Sequence, residues 1–342
     1  MPKPTDDLFS HQPLTDDPGW FDRFYWNVHS PGGELTISQG MGTYPGTAVI
    51  DGFGMLVDAK GQRNFRASRE GKPSERRVEA GPLSAEILEP LKRWRLRLDD
   101  NEAGFSYDLE FEGDLAPIDA GRIEGRSRKA GALLDFSHFV QVGRVHGRLV
   151  IDGTARTLDA ESWYGLRDRS WGIRPGAGHE PAANVTPSPT AGRHDWVFAR
   201  IGDRAVFYFL SGGGSRGPHL LGAGLSTPAG EVKISSVERT LDWDERGRFR
   251  GAAATLRTEQ GETIDLRASA PAATLYLRGG LYGGWQGLSQ GMRRGALVCE
   301  AERWSTSEPA VLAEVAGLND HICKFETPTG AGFGIYEVAS GI

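Results

Sequence analysis

The sequence has few of the residues that stabilise small secreted proteins or bind metals, because only two of its 342 residues are cysteine. Cys299 and Cys323 are too few for a disulfide framework or a thiolate metal site. We therefore expect two free, buried thiols in a reducing compartment. The sequence also lacks a Gly-X-Ser-X-Gly elbow, a phosphate-binding loop, a dinucleotide fingerprint and a His-Glu-X-X-His pattern in a fitting context. These absences predict no metal and no organic cofactor.

Long apolar runs and blocks of like charge are absent as well. No segment reaches the apolar length that spans a bilayer, and Met1 to Leu14 shows no signal-peptide pattern. The formal net charge of −6 is spread along the chain, which argues against a nucleic-acid partner. We therefore expect a cytoplasmic protein with no membrane span and no nucleic-acid partner. A homodimer is compatible with these features.

The sequence is rich in short apolar alternations between turn residues. It contains 47 glycines and 19 prolines, which punctuate the chain at short intervals. In Trp94 to Leu98 and in Phe105 to Glu112, apolar residues alternate with polar ones. Such alternation is typical of strands buried on one face, as in antiparallel sheets. The sequence therefore predicts an all-β protein with few helices.

Similar segments recur in the same order in both halves of the chain. Duplication of one β unit is the simplest explanation, although alternation in any β protein also generates such matches. We accordingly divide the chain into an N-terminal β domain over residues 1–175 and a C-terminal one over residues 176–342. The matched segments are Phe24–Trp26 with Trp196–Phe198, Gly54–Gly61 with Ala223–Gly230, and Gly143–Val150 with Gly291–Val298.

The segment Ile173 to Arg193 separates the two predicted domains. It contains four prolines and several glycine, alanine and serine residues, so it predicts a long irregular loop. Long loops in compact proteins are often functional. We expect this loop to lie over the entrance of a ligand site.

The least generic stretch is Glu161 to Arg174, which holds two tryptophans, a tyrosine, three arginines and an aspartate. Within it, Arg167 to Gly172 reads Arg-Asp-Arg-Ser-Trp-Gly. This run resembles the Arg-Asp-His/Arg-Ser-Trp-Gly signature of a bacterial family of two-domain lipocalin-like proteins. That family includes the AttH-like proteins, with carotenoid 1,2-hydratases and kievitone hydratases as more distant relatives. The opening His11 to Leu14, followed by Trp20, also resembles the start of some members.

The resemblance implies two tandem lipocalin-like antiparallel β-barrels with a ligand site within or between them. Characterised relatives add water to carbon–carbon double bonds, or cyclise and isomerise terpenoid or polyketide-like substrates, without metal or organic cofactor. By this resemblance we expect a lyase or isomerase of the hydratase or dehydratase type. Its substrate would be a hydrophobic terpenoid, steroid-like or aromatic small molecule.

Asp168 has two interpretations at this point. In the structural one it pairs with Arg167, Arg169 or a remote arginine, while Trp163 and Trp171 close a barrel end. In the functional one it lies in a partly apolar cavity with a raised pKa. There it could donate a proton to an alkene or accept one from water.

Two histidines are candidates to assist Asp168. His138 is in phase with apolar neighbours on its strand, where it is either a hydrogen-bonded core residue or an acid–base group. His194 opens the second domain after the long loop, whereas His321 is predicted in a solvent-exposed turn. Aromatic residues are expected to shape the cavity and bind substrate: Trp163, Tyr164, Trp171, Tyr208, Tyr282 and Trp285.

Three functions therefore compete. The first is an acid–base enzyme that uses Asp168 with His138 or His194. The second is a non-catalytic, lipocalin-like carrier of a hydrophobic small molecule. The third is a structural partner within a catabolic complex. An aspartate and a histidine converging on an open apolar pocket would favour the enzyme.

Overall fold

The computed structural model describes residues 7–9, 17, 19–126, 133–174, 194–212 and 218–339 of the chain. Most of these residues lie in antiparallel strands, because apolar side chains at every second position can be buried on one face. The predicted loop up to Arg193 falls almost entirely outside the described residues. The strands of the first half are β1 (Trp20–His29), β2 (Thr36–Tyr44), β3 (Val49–Asp58), β4 (Gly61–Glu70), β5 (Arg77–Ala80), β6 (Leu83–Glu89), β7 (Arg93–Leu98), β8 (Phe105–Gly113), β9 (Ile118–Arg126), β10 (Leu133–Ile151), β11 (Thr154–Leu158) and β12 (Tyr164–Ile173).

The second half adds further strands and two short helices. The strands and the α-helix are β13 (His194–Ile201), β14 (Arg204–Ser211), β15 (His219–Thr227), β16 (Gly230–Trp243), β17 (Phe249–Thr258), β18 (Thr263–Ala268), β19 (Ala273–Tyr276), β20 (Leu297–Trp304), α1 (Pro309–Val315), β21 (Leu318–Thr327) and β22 (Gly330–Ala339). A 3-10 turn covers Leu277–Gly280. The strands form two antiparallel sheets, which confirms the predicted all-β, two-barrel fold.

The second sheet closes into a barrel. Its order is β18-β17-β16-β15-β14-β13-β22-β21-β19, and β18 also pairs with β21. The pairing of β18 with β21 closes these strands into a ring, so backbone groups that would lie at an open sheet edge are hydrogen-bonded. Apolar side chains such as Leu225, Leu256 and Tyr336 fill its interior.

The first sheet curls into the other barrel, which we call the first barrel, in the order β20-β4-β3-β2-β1-β12-β10-β8-β7-β6-β5. Its ends meet where β5 packs against β3 and β4. There Arg69 Nε donates to the backbone oxygen of Glu79 at 2.6 Å. Phe24, Trp26 and Trp94 pack together in the interior, with ring centroids 4.8 to 5.8 Å apart. This barrel therefore has an aromatic core.

Strand β20 lies in the second half of the sequence but pairs with β4 of the first sheet. The paired residues run from Leu297 opposite Arg69 to Trp304 opposite Gln62. The chain thus returns to the first sheet before it completes the second with β21 and β22. The first sheet therefore contains residues from both sides of the predicted domain boundary at residue 175.

Both sheets repeat one strand arrangement. The first strand of each half pairs with its second and last strands, so β1 corresponds to β13 and β12 to β22. Two of the three sequence matches lie at equivalent places, on β1 with β13 and on the β3–β4 hairpin with the β15–β16 hairpin. The third is wrong, because Gly143–Val150 lies inside β10, whereas most of Gly291–Val298 precedes β20. The counterpart of β10 is β21, which pairs with β22.

Two smaller expectations are also wrong. Cys299 is exposed on β20, and only Cys323 is a buried thiol. His321 lies inside β21 with 4% of its surface exposed, because the residues around it form a strand and not a turn. Within the described part of the chain, no helix is long and apolar enough to cross a membrane.

The barrels pack against each other through one shared apolar cluster. It includes Tyr25, Phe53 and Val140 of the first sheet and Phe207 and Ile335 of the second. These side chains project outward from each barrel toward its neighbour. Successive residues of a strand point to opposite faces. These strands therefore contribute side chains both to the interior of their own barrel and to the cluster between the barrels.

Candidate active site between the two barrels

Strand β12 carries the Arg-Asp-Arg-Ser-Trp-Gly motif, and alternation divides the motif between two faces. Arg167 and Arg169 point into the first barrel. Arg167 binds Asp7 at 3.0 Å and Arg169 binds Asp22 at 3.1 Å. Asp168 points the other way, toward the second barrel. The guanidinium groups beside Asp168 in sequence are therefore engaged by carboxylates on the opposite face of the strand.

In front of Asp168 lies a cavity of about 150 Å³, which we call the inter-barrel cavity. Both sheets contribute to its walls, so it exists only because the barrels pack together. It is lined by Tyr25, Phe136, His138, Asp168, Ser170, Arg174, His194, Trp196, Phe209, Leu277, Tyr282, Leu318, Asp320 and Glu337.

Strand register explains why these first-sheet residues meet. Tyr25 of β1 lies directly opposite Asp168, and His138 of β10 lies directly opposite Ser170. Directly opposite residues in an antiparallel pair project from the same face. Arg174 follows the end of β12 on that face, since it is in phase with Asp168 and Ser170.

The Asp168 carboxyl is partly buried and faces the cavity. Its Oδ1 is buried and has no hydrogen-bond partner among the described residues. Burial raises the pKa of Asp168 to about 7, against the opposing charge of Arg174. A carboxyl with this pKa exchanges its proton readily at neutral pH, which suits general acid–base chemistry.

A second carboxyl, Asp320 of β21, is held by both barrels. Tyr25 of the first barrel donates a hydrogen bond to its Oδ2, and Glu337 lies directly opposite it on β22. Burial and the charge of Glu337 raise the pKa of Asp320 well above its ordinary value. Asp320 therefore keeps its proton over a wider pH range than an exposed aspartate.

The structure brings both predicted histidines to the cavity wall. His194 Nε2 is hydrogen-bonded to Glu337, and its ring packs 4.9 Å from Phe209. Glu337 thereby orients the His194 ring at the cavity wall. His138 is buried against Phe136, and neither of its ring nitrogens has a partner among the described residues. Burial lowers the pKa of His138 to about 4, so it is neutral at pH 7.

Of the six predicted aromatic residues, the structure places Tyr282 on the cavity wall. Trp163 and Tyr208 lie in the cores of the first and second barrels. Trp171 packs on Phe139, and Trp285 packs on Trp304. Tyr164 stacks under the guanidinium groups of Arg144 and Arg200. These five residues do not line the cavity.

Five polar lining residues were not predicted from the sequence: Tyr25, Ser170, Arg174, Asp320 and Glu337. Tyr25 lies between two apolar residues that point inward, and this alternation shows that it points outward. Asp320 and Glu337 carry no comparable signal. Their meeting with Asp168 depends on how the second barrel docks against the first.

Two larger depressions, of about 830 and 610 Å³, lie elsewhere and are open to solvent. In the larger one, Asp108 binds Arg95 at 2.6 Å and Asp152 binds Arg63 at 2.6 Å. Exposed, paired carboxylates of this kind are typical of an ordinary protein surface. Among the described residues, no group of three or more His, Cys, Asp or Glu side chains could hold a metal ion.

Comparison with solved structures finds other two-barrel proteins at low sequence identity. The AttH-like protein NE1406 from Nitrosomonas europaea is 14% identical, with a TM-score of 0.54 over 96% of this chain and 97% of that one. Kievitone hydratase from Nectria haematococca is 12% identical, with a TM-score of 0.52 over 98% and 92%. CghA with Sch210972 is 12% identical, with a TM-score of 0.53 over 100% and 96%. At these identities the similarity shows the fold alone.

A search of curated proteins found no match to the sequence. Residues 10–340 match a family of unknown function, DUF8625, which spans nearly the whole chain. The chain therefore belongs to the DUF8625 family.

Proposed function

We propose that this protein is a cofactor-independent lyase or isomerase of the hydratase or dehydratase type. Its substrate is a hydrophobic small molecule that binds in the inter-barrel cavity. The observation that carries the proposal is the Asp168 carboxyl, which faces this cavity with a raised pKa and an unpartnered oxygen. One structural neighbour supports the reaction class, since it is named kievitone hydratase and shares the two-barrel fold.

In the hydration direction, protonated Asp168 donates its proton to one carbon of an alkene, and a C–H bond forms. The adjacent carbon becomes cationic and is attacked by water, which forms the C–O bond. The extra proton of that water passes back to the Asp168 carboxylate, directly or through His194, and the acid is restored. Dehydration is the same sequence in reverse.

The remaining lining residues suit this chemistry. Trp196 and Phe209 can stabilise a carbocation, because the faces of their aromatic rings carry partial negative charge. His194 is oriented by Glu337, as expected of a base that must present one nitrogen. His138 is neutral and offers one donor and one acceptor to a substrate oxygen.

The test compares the purified protein with Asp168→Asn in a metabolite extract of the source organism. The reaction runs in water labelled with heavy oxygen, and mass spectrometry follows both bound and released compounds. We expect the unaltered protein to release a product that has gained labelled water, lost water, or isomerised. Asp168→Asn should lower that yield by about a hundredfold or more, as loss of a general acid–base group does. Asp203→Asn, in the exposed β13–β14 turn, is the matched control and should retain activity.

The competing function is a carrier, which the apolar walls of the cavity also suit. A compound that both proteins retain unchanged would exclude the hydratase and favour the carrier. In that case Asp168 would be a structural group.

A further inference from the structure

One guanidinium group at the inter-barrel cavity, that of Arg174, forms no ion pair with a carboxylate among the described residues. Its Nη2 donates to Gln290 Oε1 at 2.7 Å, and its guanidinium lies 4.6 Å from the ring centre of Phe21. Gln290 and Phe21 therefore hold the side chain in place without an ion pair. The carboxyls that its charge influences, Asp168 and Asp51, both have pKa values raised by burial.

A second guanidinium lies behind the first. Arg23 is buried, and its Nε and Nη2 have no hydrogen-bond partner in the described part of the chain. Arg23 and Arg174 lie 4.9 and 5.9 Å from the ring centre of Tyr282, so the two cations flank one aromatic ring. We call Arg23, Arg174 and Tyr282 the arginine end of the cavity. Neither guanidinium forms an ion pair with a carboxylate in the described part of the chain, and burying cations without ion pairs is costly unless a ligand compensates for them.

We infer that the ligand of this cavity is an amphipathic acid, whose apolar body contacts the aromatic wall and whose anionic group binds Arg174. Arginine suits this role because its planar fork donates two parallel hydrogen bonds to a carboxylate. Two other acidic groups besides Asp168 line the cavity. Burial and the charge of Glu337 raise the pKa of Asp320, and Glu337 itself is hydrogen-bonded to His194.

An anion at Arg174 also affects Asp168. The charge of Arg174 is the main influence that opposes the raised pKa of Asp168. A bound anion cancels part of that charge, so Asp168 keeps its proton while the ligand is present. Ligand binding thereby favours the acid form that the proposed hydration requires.

The inference rests on the cavity named in the proposed function, but its test measures binding without turnover. The probes are naphthoate and naphthamide, which share a ring system and differ in charge. Isothermal titration calorimetry is carried out on the unaltered protein, Arg174→Gln, Arg174→Lys and the surface control Arg293→Gln. We expect naphthoate to bind about tenfold or more tightly than naphthamide, because charge-assisted hydrogen bonds are stronger than neutral ones.

Arg174→Gln should reduce this preference to about twofold or less, and Arg174→Lys should keep part of it. Arg293→Gln should keep all of it, since Arg293 pairs with Glu70 on the surface. Any one of three results would overturn the inference. These are equal binding of the two probes to the unaltered protein, no binding of naphthoate, and a preference for naphthoate that persists in a folded Arg174→Gln. Naphthoate preference in a protein without turnover would reject the hydratase and leave the inference standing. Turnover without a preference for naphthoate would reject the inference and leave the proposed hydratase standing.

Discussion

Asp168→Asn is expected to stabilise the folded protein, and to stabilise it more at pH 8 than at pH 5. The unfolded chain ionises Asp168 at its ordinary pKa near 4, whereas the folded chain holds the pKa at about 7. The stability that the protonated carboxyl contributes is therefore present below about pH 4 and is lost as the pH rises to about 7. Asparagine resembles the protonated carboxyl and never ionises, so it avoids this loss.

The expected gain in the free energy of unfolding is about 2 to 4 kcal/mol at pH 8 and about 1 kcal/mol at pH 5. Urea unfolding at both pH values measures it. Asp203→Asn should show no change at either pH, because its carboxyl is exposed in a turn. A loss of stability at pH 8 on replacing Asp168 would mean that its carboxylate has a stabilising partner. Increased stability with loss of activity is the usual signature of a functional carboxylate in an unfavourable environment.

Asp7→Ala is expected to destabilise the protein strongly, although Asp7 lies near the N-terminus. Both carboxylate oxygens of Asp7 accept hydrogen bonds from Arg167, at 3.1 and 3.0 Å, inside the first barrel. Oδ2 also accepts from the Trp94 ring at 3.2 Å and from the Leu91 backbone at 2.7 Å. Removing this carboxylate leaves Arg167 buried without its counterion. Such a change costs about 3 to 5 kcal/mol of unfolding free energy.

The double variant Asp7→Leu/Arg167→Met separates charge from packing. Replacing a buried ion pair by apolar residues of similar size is often nearly neutral, so the double variant should recover most of the loss. Thermal and urea unfolding of the two variants measure the difference. If Asp7→Ala were as stable as the unaltered protein, the N-terminal segment would not be part of the first barrel's core.

Much of the fold could be predicted because strand alternation is a local property. The alternating run from Phe105 to Phe111 does form a strand, β8, with its aromatic side chains in the core of the first barrel. The same logic placed His138 on an apolar face, where it is indeed buried. Of the two alternatives for His138, the hydrogen-bonded core residue is not what the described residues show, since both ring nitrogens lack partners there.

The site was only partly predictable because it lies between the outer surfaces of the two barrels. A sequence pattern shows that Asp168 and Arg167 face opposite ways, but it does not show which face meets the other barrel. Asp320 reaches Tyr25, which lies opposite Asp168, through the docking of β21 against β1, which no local pattern encodes. Trp163 and Trp171 were expected at the site because they adjoin the motif. Their own alternation instead directs them into buried clusters.

The most direct test of the account is the titration of Asp168 itself. Carboxyl-carbon nuclear magnetic resonance on protein with labelled aspartate follows each carboxyl with pH, and Asp168→Asn identifies the signal. The account predicts a midpoint near pH 7 for Asp168. A midpoint near pH 4, the ordinary value for aspartate, would contradict it, because the cavity would then hold a carboxylate too acidic to be protonated at neutral pH.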